Sequence, residues 1–465
     1  VTSELLAPGT ELGGFVVGEP LHAGGMGVVY AARRPGSEAP LVMKVPRLGF
    51  GEPGETVVTF EVEQTVHAAL RGPHVPRFVA AGGLEEGRPW LVMERVEGRP
   101  LRDELERAPL PPEEVARLGA AVARALHDVH AQEAIHLDLK PSNVILRPDG
   151  EAVLLDFGLA HHAHFPDLLA EEVRHPVGSA PYIAPEQVLG QRGDLRSDLF
   201  ALGAVLYELA TGRLPFGAPT SPAGLRKRLF RDPLPPRAVA PGIPEWLQEV
   251  VLRCLEPDPE RRHPSAAQLA LDLAHPGEIV VTERGRRLRR RAGLRELLRW
   301  LQTLGFEPPP PSHPSVHLAR APIVLAAIAT EHRNRAELEA VREAARRLLA
   351  ADPGNRLACV TVIPPAPELG GSDAADTATR RRLRHLAILR HWAEPLGLEP
   401  GRVSFHAIEG SDPAAALLAY ARANRVDHLV IGGPPPDWPL KRILGTVATR
   451  VAVEAPCSVT VVRAR

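Results

Sequence analysis

Residues Ile135 to Leu146 read Ile-His-Leu-Asp-Leu-Lys-Pro-Ser-Asn-Val-Ile-Leu, and the fold turns on why Asp138, Lys140 and Asn143 stand in that apolar frame. Charged and amide side chains beside buried strands are costly unless each has a partner or a chemical task. A carboxylate can accept a hydroxyl proton, and carboxylate or amide oxygens suit Mg²⁺, which keeps some waters and shares substrate phosphates. Asp138 is therefore a candidate base, Asn143 a candidate metal ligand and Lys140 a cation able to offset charge on a transferred group. Leu154 to Leu159, Leu-Leu-Asp-Phe-Gly-Leu, repeats the pattern and adds Asp156 as a second candidate metal ligand.

Working outward, Leu21 to Tyr30 reads Leu-His-Ala-Gly-Gly-Met-Gly-Val-Val-Tyr between two strand patterns. Gly24, Gly25 and Gly27 let backbone amides approach phosphate oxygens where a Cβ would obstruct them, although a glycine turn alone is often only a turn. Lys44 lies inside the apolar strand Leu-Val-Met-Lys-Val, where an unpaired ammonium is costly, and Glu63 in the following helical pattern can supply the opposite charge. Short β-rich runs at 15–17, 28–32, 40–45 and 90–94 precede Pro112. Beyond it Val115, Leu118, Val122, Ala125, Leu126 and Val129 recur at helical spacing. A small β-rich half thus leads into a larger helical half.

In order and spacing these elements, with Ala184-Pro185-Glu186, Ser197-Asp198 and Arg262, resemble the eukaryotic-type protein kinase family as it occurs in bacteria, over about 12–273. The resemblance implies an α+β two-lobed kinase fold, with a domain over 1–275 divided into a small lobe at 12–96 and a large lobe at 97–275. It further implies that Lys44 binds the α and β phosphates of ATP and pairs with Glu63, and that Asp138 orients the substrate hydroxyl and acts as base. Asn143 and Asp156 take the Mg²⁺ or Mn²⁺ ions, and Gly24, Gly25 and Gly27 cover the phosphates. Val29, Val42, Met93 and Ile145 flank the adenine, with the hinge at Glu94 to Val96. Glu186 and Arg262 are expected to form an ion pair, and Asp198 to brace the catalytic loop. Lys140 points to the serine/threonine branch, so protein Ser or Thr hydroxyls are the expected acceptors.

The pattern departs from the family at three positions. His22 stands where the first loop glycine is usual, and Val42 replaces alanine. Leu137 replaces the arginine that receives an activation-loop phosphate. Between Gly158 and Pro185 the hydroxyl residues are Ser179 and Tyr182 alone. The expectation is an enzyme that needs no such phosphate, in which Leu137→Arg changes the rate little. His161, His162, His164 and His175 read as exposed loop residues, with metal binding as the other reading. A pseudokinase or ATP-binding scaffold is the rival that His22 and Leu137 encourage and the charged set opposes. A small-molecule phosphotransferase is a second rival, opposed by the segment 178–186, which resembles a peptide-positioning loop.

Arg284 to Arg299 carries eight arginines and one acid, and Pro308 to Pro311 follow. Consecutive prolines make a stiff spacer, so a linker is expected over 276–319, its arginines either solvated or turned to an acidic partner or anionic lipid. Beyond it Val- and Ile-rich strands alternate with helices, implying a parallel sheet covered on both faces over 320–465. Ile323 to Val462 resembles the universal stress protein family, with an α/β fold of the adenine nucleotide alpha hydrolase-like kind. Ile431-Gly432-Gly433-Pro434-Pro435 leads to Gly445-Thr446 in the spacing of that family's nucleotide loop. Pro435, however, lacks the amide such a loop uses, and Ile328 stands where nucleotide-binding relatives have aspartate. A retained fold serving dimerisation or sensing is expected, with homodimer pairing through Ser458 to Val462.

The balance of 55 basic against 56 acidic residues in 465 excludes the field of a dedicated nucleic-acid binder, and no apolar run approaches the roughly 18 residues needed to span a bilayer. The amino terminus shows no secretory pattern, so a cytoplasmic location is expected. Cys254, Cys359 and Cys457 have no disulfide or thiolate-metal spacing and read as buried thiols.

Overall fold

A computed structural model describes residues 5–24, 27–47, 55–83, 88–165, 167–172, 176–290, 322–331, 335–352, 355–365, 372–398, 402–424, 426–433 and 446–463. Gly25, His175, Pro434, Pro435, Gly445 and the proline-rich stretch lie outside the described residues.

The amino-terminal lobe is an antiparallel sheet of β1 (Glu11–Leu12), β2 (Phe15–Ala23), β3 (Gly27–Arg33), β4 (Leu41–Pro46), β5 (Phe78–Gly82) and β6 (Trp90–Glu94), in the order β1-β2-β3-β4-β6-β5. Alternation puts Phe15, Val17, Val28, Tyr30, Met43 and Val92 into one small core. A helix, α1 (Glu55–Ala69), packs on the other face. It is buried nearly all round, Thr56, Glu61 and Gln64 as well as Val57, Val58, Phe60, Val62 and Val66. Such a helix needs cover on more than one side.

The larger lobe is built on α2 (Pro112–His130), whose predicted stripe Val115, Leu118, Val122, Ala125, Leu126 and Val129 is completely buried. Pro112 opens it, Glu113 and Glu114 sit in its first turn and His127 and His130 in its last, each suited to the helix dipole. Against α2 pack α3 (Arg196–Thr211), α4 (Glu245–Cys254) and α5 (Ala266–Ala274) in a single apolar core. The stretch 134–146 runs beneath the sheet as β8 (Ala134–Ile135) and β9 (Val144–Leu146). β9 lies between β10 (Ala152–Leu154) and the short β7 (Arg99–Pro100). The first arginines after 283 are partnered: Arg284 reaches Glu249 at 3.0 Å and Glu256 at 3.1 Å, and Arg287 reaches Asp232 at 3.2 Å, so the chain continues along the large lobe to this point.

The second domain is a five-stranded parallel sheet, β12 (Ile323–Ala327), β13 (Arg356–Ile363), β14 (Val403–Glu409), β15 (His428–Gly432) and β16 (Ser458–Val462), ordered β14-β13-β12-β15-β16. Period-two alternation divides each inner strand between two cores. Val324, Ala326 and Cys359 meet α6 (Arg335–Ala351) and α7 (Ser372–Ala393), whereas Leu325, Ala358 and Val360 meet α8 (Pro413–Ala423) and α9 (Val447–Glu454). Ile328 belongs to the first core.

Two expectations are corrected. His161 and His162 are buried and His164 half-buried, because the first two form β11 (His161–His162), paired with β8. His162 packs on Phe165, with ring centroids 4.7 Å apart, and His164 contacts Glu133. Among the described residues no group of three or more His, Cys, Asp or Glu could hold a metal ion. Cys254 and Cys359 are buried as expected, but Cys457 at the head of the edge strand is only half-buried.

Candidate active site

Lys44 is carried by β4, so Val42 shares its face, and the register sets Val29 of β3 opposite Lys44 and Met93 of β6 opposite Val42. Lys44 Nζ donates to Glu63 Oε2 at 2.6 Å and to Asp156 Oδ1 at 2.9 Å. Three groups distant in sequence are thereby joined across sheet, helix and large lobe. Burial works against the Lys44 ammonium, but the facing Asp156 and Glu63 carboxylates outweigh it and hold the lysine charged. Burial pushes Glu63 up to about 7 against the pull of Lys44. Asp156 is also opposed by burial, yet Lys44 draws it down to about 2.

The stretch 134–146 is fixed from below by Asp198, which is fully buried at the start of α3. Its Oδ2 accepts from His136 N at 2.9 Å and from His130 Nε2 at 2.8 Å, and its Oδ1 accepts from Leu137 N at 2.8 Å. Leu137 sits at φ 60°, a conformation that a branched residue holds only when its surroundings impose it. Gln187 donates to the Leu137 carbonyl at 2.9 Å, and the leucine side chain turns into the interior.

Asp138 accepts from Lys140 Nζ at 2.7 Å through Oδ2 and from the backbone N–H of Ser179 at 2.8 Å through Oδ1. Asn143 Nδ2 donates to the Asp138 carbonyl at 3.0 Å, which leaves the amide oxygen as the atom a cation would meet. Leu155 N donates to the Asn143 carbonyl at 2.8 Å, tying the Asp156 segment to the same strand. Asp138, Lys140, Asn143, Asp156, Lys44 and Glu63 therefore form one linked constellation. Two carboxylates, an amide oxygen and two ammonium groups at the mouth of a cleft form a donor set that fits a divalent cation and phosphates. Val29, Val42, Ile145 and Val96 are half-buried and Met93 is buried, giving that cleft its apolar side. Gly24 and Gly27 lie at the ends of β2 and β3, where Gly24 N donates to the Gly27 carbonyl at 2.9 Å.

Some participants were not read from the sequence. His67 is fully buried, four residues after Glu63 on α1, with its ring 5.9 Å from Phe157; Phe157 lies in turn 5.0 Å from His136. His67 Nε2 meets the Pro76 carbonyl at 2.6 Å, and burial drives its pKa down to about 4, so the neutral ring donates there. The spacing from Glu63 places both on neighbouring turns, the one signal available beforehand. Gly98, at φ 147°, permits the entry to β7, since a Cβ there would stand 2.3 Å from the Leu146 carbonyl oxygen. Lower in the lobe, Arg262 forks onto Glu186 at 2.6 and 2.7 Å.

Residues 15–273 match the protein kinase domain model and residues 324–463 the universal stress protein family model. The chain belongs to the protein kinase family and carries a universal stress protein domain after the two-lobed kinase fold. It is similar to the probable serine/threonine-protein kinase CPE1738 of Clostridium perfringens, 33% identical over 254 residues, covering 54% of this chain and 36% of that protein. It is similar also to PknB of Mycobacterium leprae, 32% identical over 270 residues, covering 57% and 43% of the two chains. Similarity to pkn2 of Myxococcus xanthus is 35% over 280 residues, covering 58% and 33%. The chain thus spans well under half the length of these curated relatives. Among solved structures it is similar to the PknI kinase domain of Mycobacterium tuberculosis, 28% identical with a TM-score of 0.46, covering 58% of this chain and 100% of that one.

Proposed function

We propose that the chain is a serine/threonine protein kinase that transfers the γ-phosphoryl group of ATP to a protein hydroxyl. The observation that carries this reading is the joining of Lys44, Glu63 and Asp156 above Asp138 and Asn143. Residues 12–96 act as the small lobe and 97–275 as the large lobe of one catalytic unit, with 276–319 as connector and 320–465 as the second domain.

ATP with a divalent ion, Mg²⁺ or Mn²⁺, supplies the transferable group and its charge neutralisation, and Asn143 and Asp156 are the residues that would hold the ion. Lys44, kept in place by Glu63, steadies the α and β phosphates. Gly24, Gly25 and Gly27 cover the phosphates. Val29, Val42, Met93 and Ile145 enclose the adenine, with Glu94 to Val96 along its edge. Asp138 accepts the proton of the incoming hydroxyl as its oxygen attacks, and Lys140 offsets negative charge developing on the group in flight. Leu137 offers an activation-loop phosphate no cation, so the catalytic loop relies on Asp198 for its shape.

Among the described residues no helix is long and apolar enough to cross a membrane. The second domain is read as regulatory or dimerising. Its last strand, β16, lies at a sheet edge with Val461 exposed, which suits pairing with a second copy. The test is transfer of radiolabelled phosphate from ATP to a panel of proteins and small hydroxylated metabolites. Labelled Ser or Thr in protein, abolished in Asp138→Ala, supports the reading. Nucleotide binding without transfer to any acceptor refutes it.

A further inference from the structure

We infer that the universal stress protein domain is an intramolecular clamp on α1, holding that helix where Glu63 meets Lys44, so that the second domain sets the activity of the first. The inference rests on the phosphotransfer reading and adds its means of control.

The domain straddles the two elements that complete the site. On one side of α1, Val57 enters the apolar core of the second domain, and Val57 and Phe60 line a small gap with Leu383 and Leu386 of α7. Polar contacts frame this patch. Arg390 donates to Gln64 Oε1 at 2.9 Å, while Gln64 Nε2 donates to the Trp90 carbonyl at 3.2 Å, and Arg382 stands 3.9 Å from Glu61 Oε2. Arg390 is held in place over the Phe405 ring at 5.3 Å. On the next face of the helix, Val62 and Val66 share a cavity with Ser404 and His406 of β14, the edge strand of the sheet.

The stretch following Asp-Phe-Gly is held by the same domain. Arg356 lies over the Phe165 ring at 5.1 Å, and Asp167 N donates to Asn424 Oδ1 at 2.9 Å. Both Asp167 oxygens also accept from Arg192 Nε, at 2.9 and 3.0 Å, linking this contact to the large lobe.

These contacts explain the character of α1. Its residues Val57, Glu61 and Gln64, outside the catalytic set, are as buried as Glu63. Val58, Val62 and Val66 pack into the core of the kinase domain, but the face bearing Val57, Glu61 and Gln64 is turned away from that core, and the second domain is its cover. Because α1 carries both Glu63 and His67, freeing it loosens the Lys44 pair and the packing on Phe157 together. Arrangements of this kind couple domains by about 5- to 150-fold in the measured equilibrium. A chain whose catalytic loop has Leu137 in place of a phosphate-receiving arginine has a use for such a clamp.

The experiment uses the full chain, with the single variants Arg382→Glu, Glu61→Arg and Val57→Asp, and the charge swap combining Glu61→Arg with Arg382→Glu. Amide exchange across 55–69 and kcat/KM for ATP are measured together. The single variants are expected to speed exchange in that helix and lower kcat/KM by about tenfold, within the range for such couplings, and the swap to recover both. Unchanged exchange, or faster exchange with unchanged or increased kcat/KM, overturns the clamp. Should Val57→Asp unfold the small lobe, the swap against its two single variants decides alone. A wild-type chain that transfers no phosphate defeats the kinase reading, whereas the exchange data still report whether α1 is docked.

Discussion

Asp198→Asn isolates the brace under the catalytic loop with almost no change of volume. The carboxylate makes three contacts through two oxygens: His130 and His136 N share Oδ2, and Leu137 N has Oδ1. An asparagine offers one acceptor oxygen and one NH₂ group. Whichever way it turns, an N–H faces an N–H, and the less damaging choice keeps the His130 and His136 side and orphans Leu137 N. A hydrogen bond to a charged group contributes about 1.5–3 kcal/mol, and a buried donor left unsatisfied costs about 1–3 kcal/mol, so a loss of about 2.5–6 kcal/mol is expected. That loss falls at Leu137, held at φ 60° by these bonds and one neighbour of Asp138. Relaxation there displaces the proposed base, and a misplacement of about 1 Å can cost about a hundredfold in rate. Protein phosphorylation at saturating ATP should therefore show a kcat lower by at least about tenfold, with KM for ATP nearly unchanged, since Lys44 and the residues proposed to enclose the adenine are untouched. Amide exchange at 134–138 should accelerate in parallel. Burial opposes ionisation of Asp198, but His130 and the backbone donors hold its pKa below the ordinary value. Its contribution is therefore present above about pH 4 and fades as pH falls below that in wild type, and is absent from the variant. A variant with wild-type kcat and unaltered exchange would show that Asp198 does not position the loop.

Three further outcomes are expected. His67 is neutral when folded, with a pKa near 4, whereas an unfolded histidine titrates near 6.5. Its contribution is thus complete above pH 6.5 and is lost progressively as pH falls toward about 4, amounting to about 3 kcal/mol; urea titrations of wild type and His67→Gln at pH 7.5 and 5 should differ in slope with pH. Arg262→Ala strands buried Glu186 and should cost about 3–5 kcal/mol, measured by chemical denaturation, and Arg262→Lys should recover only part because an ammonium lacks the fork. Gly203→Ala would place a Cβ 2.4 Å from Cys254 Cβ between α3 and α4; a loss of about 1–3 kcal/mol should appear as a lower melting temperature of the large lobe.

Much of the fold could be read in advance because its periodicities are local. The stripe from Val115 to Val129 specifies a helix by its own spacing, and the strands at 323, 356, 403, 428 and 458 announce themselves by Val and Ile runs between helical stretches. The charged residues at 44, 63, 138, 140 and 156 and the amide at 143 are conspicuous for standing in apolar surroundings where burial without partners is costly. The histidines at 161, 162 and 164 went the other way. A polar loop composition suggests exposure, and only the pairing of His161 and His162 with β8 and the packing of His162 on Phe165 put those two inside and leave His164 half-buried.

By itself the chain of residues determined which segments become helix or strand and which side chains are candidates for chemistry, since both follow from near neighbours and from the cost of burying charge. The Lys44–Glu63 pair and the brace by Asp198 are expected from the family resemblance and from no local pattern, whereas tertiary structure alone decided that Lys44 would meet Asp156 as well, and that α1 would be covered by a domain more than 250 residues further along the chain. Each of those contacts joins segments whose separation in sequence carries no periodic signal, and their partners are chosen only when packing brings the faces together.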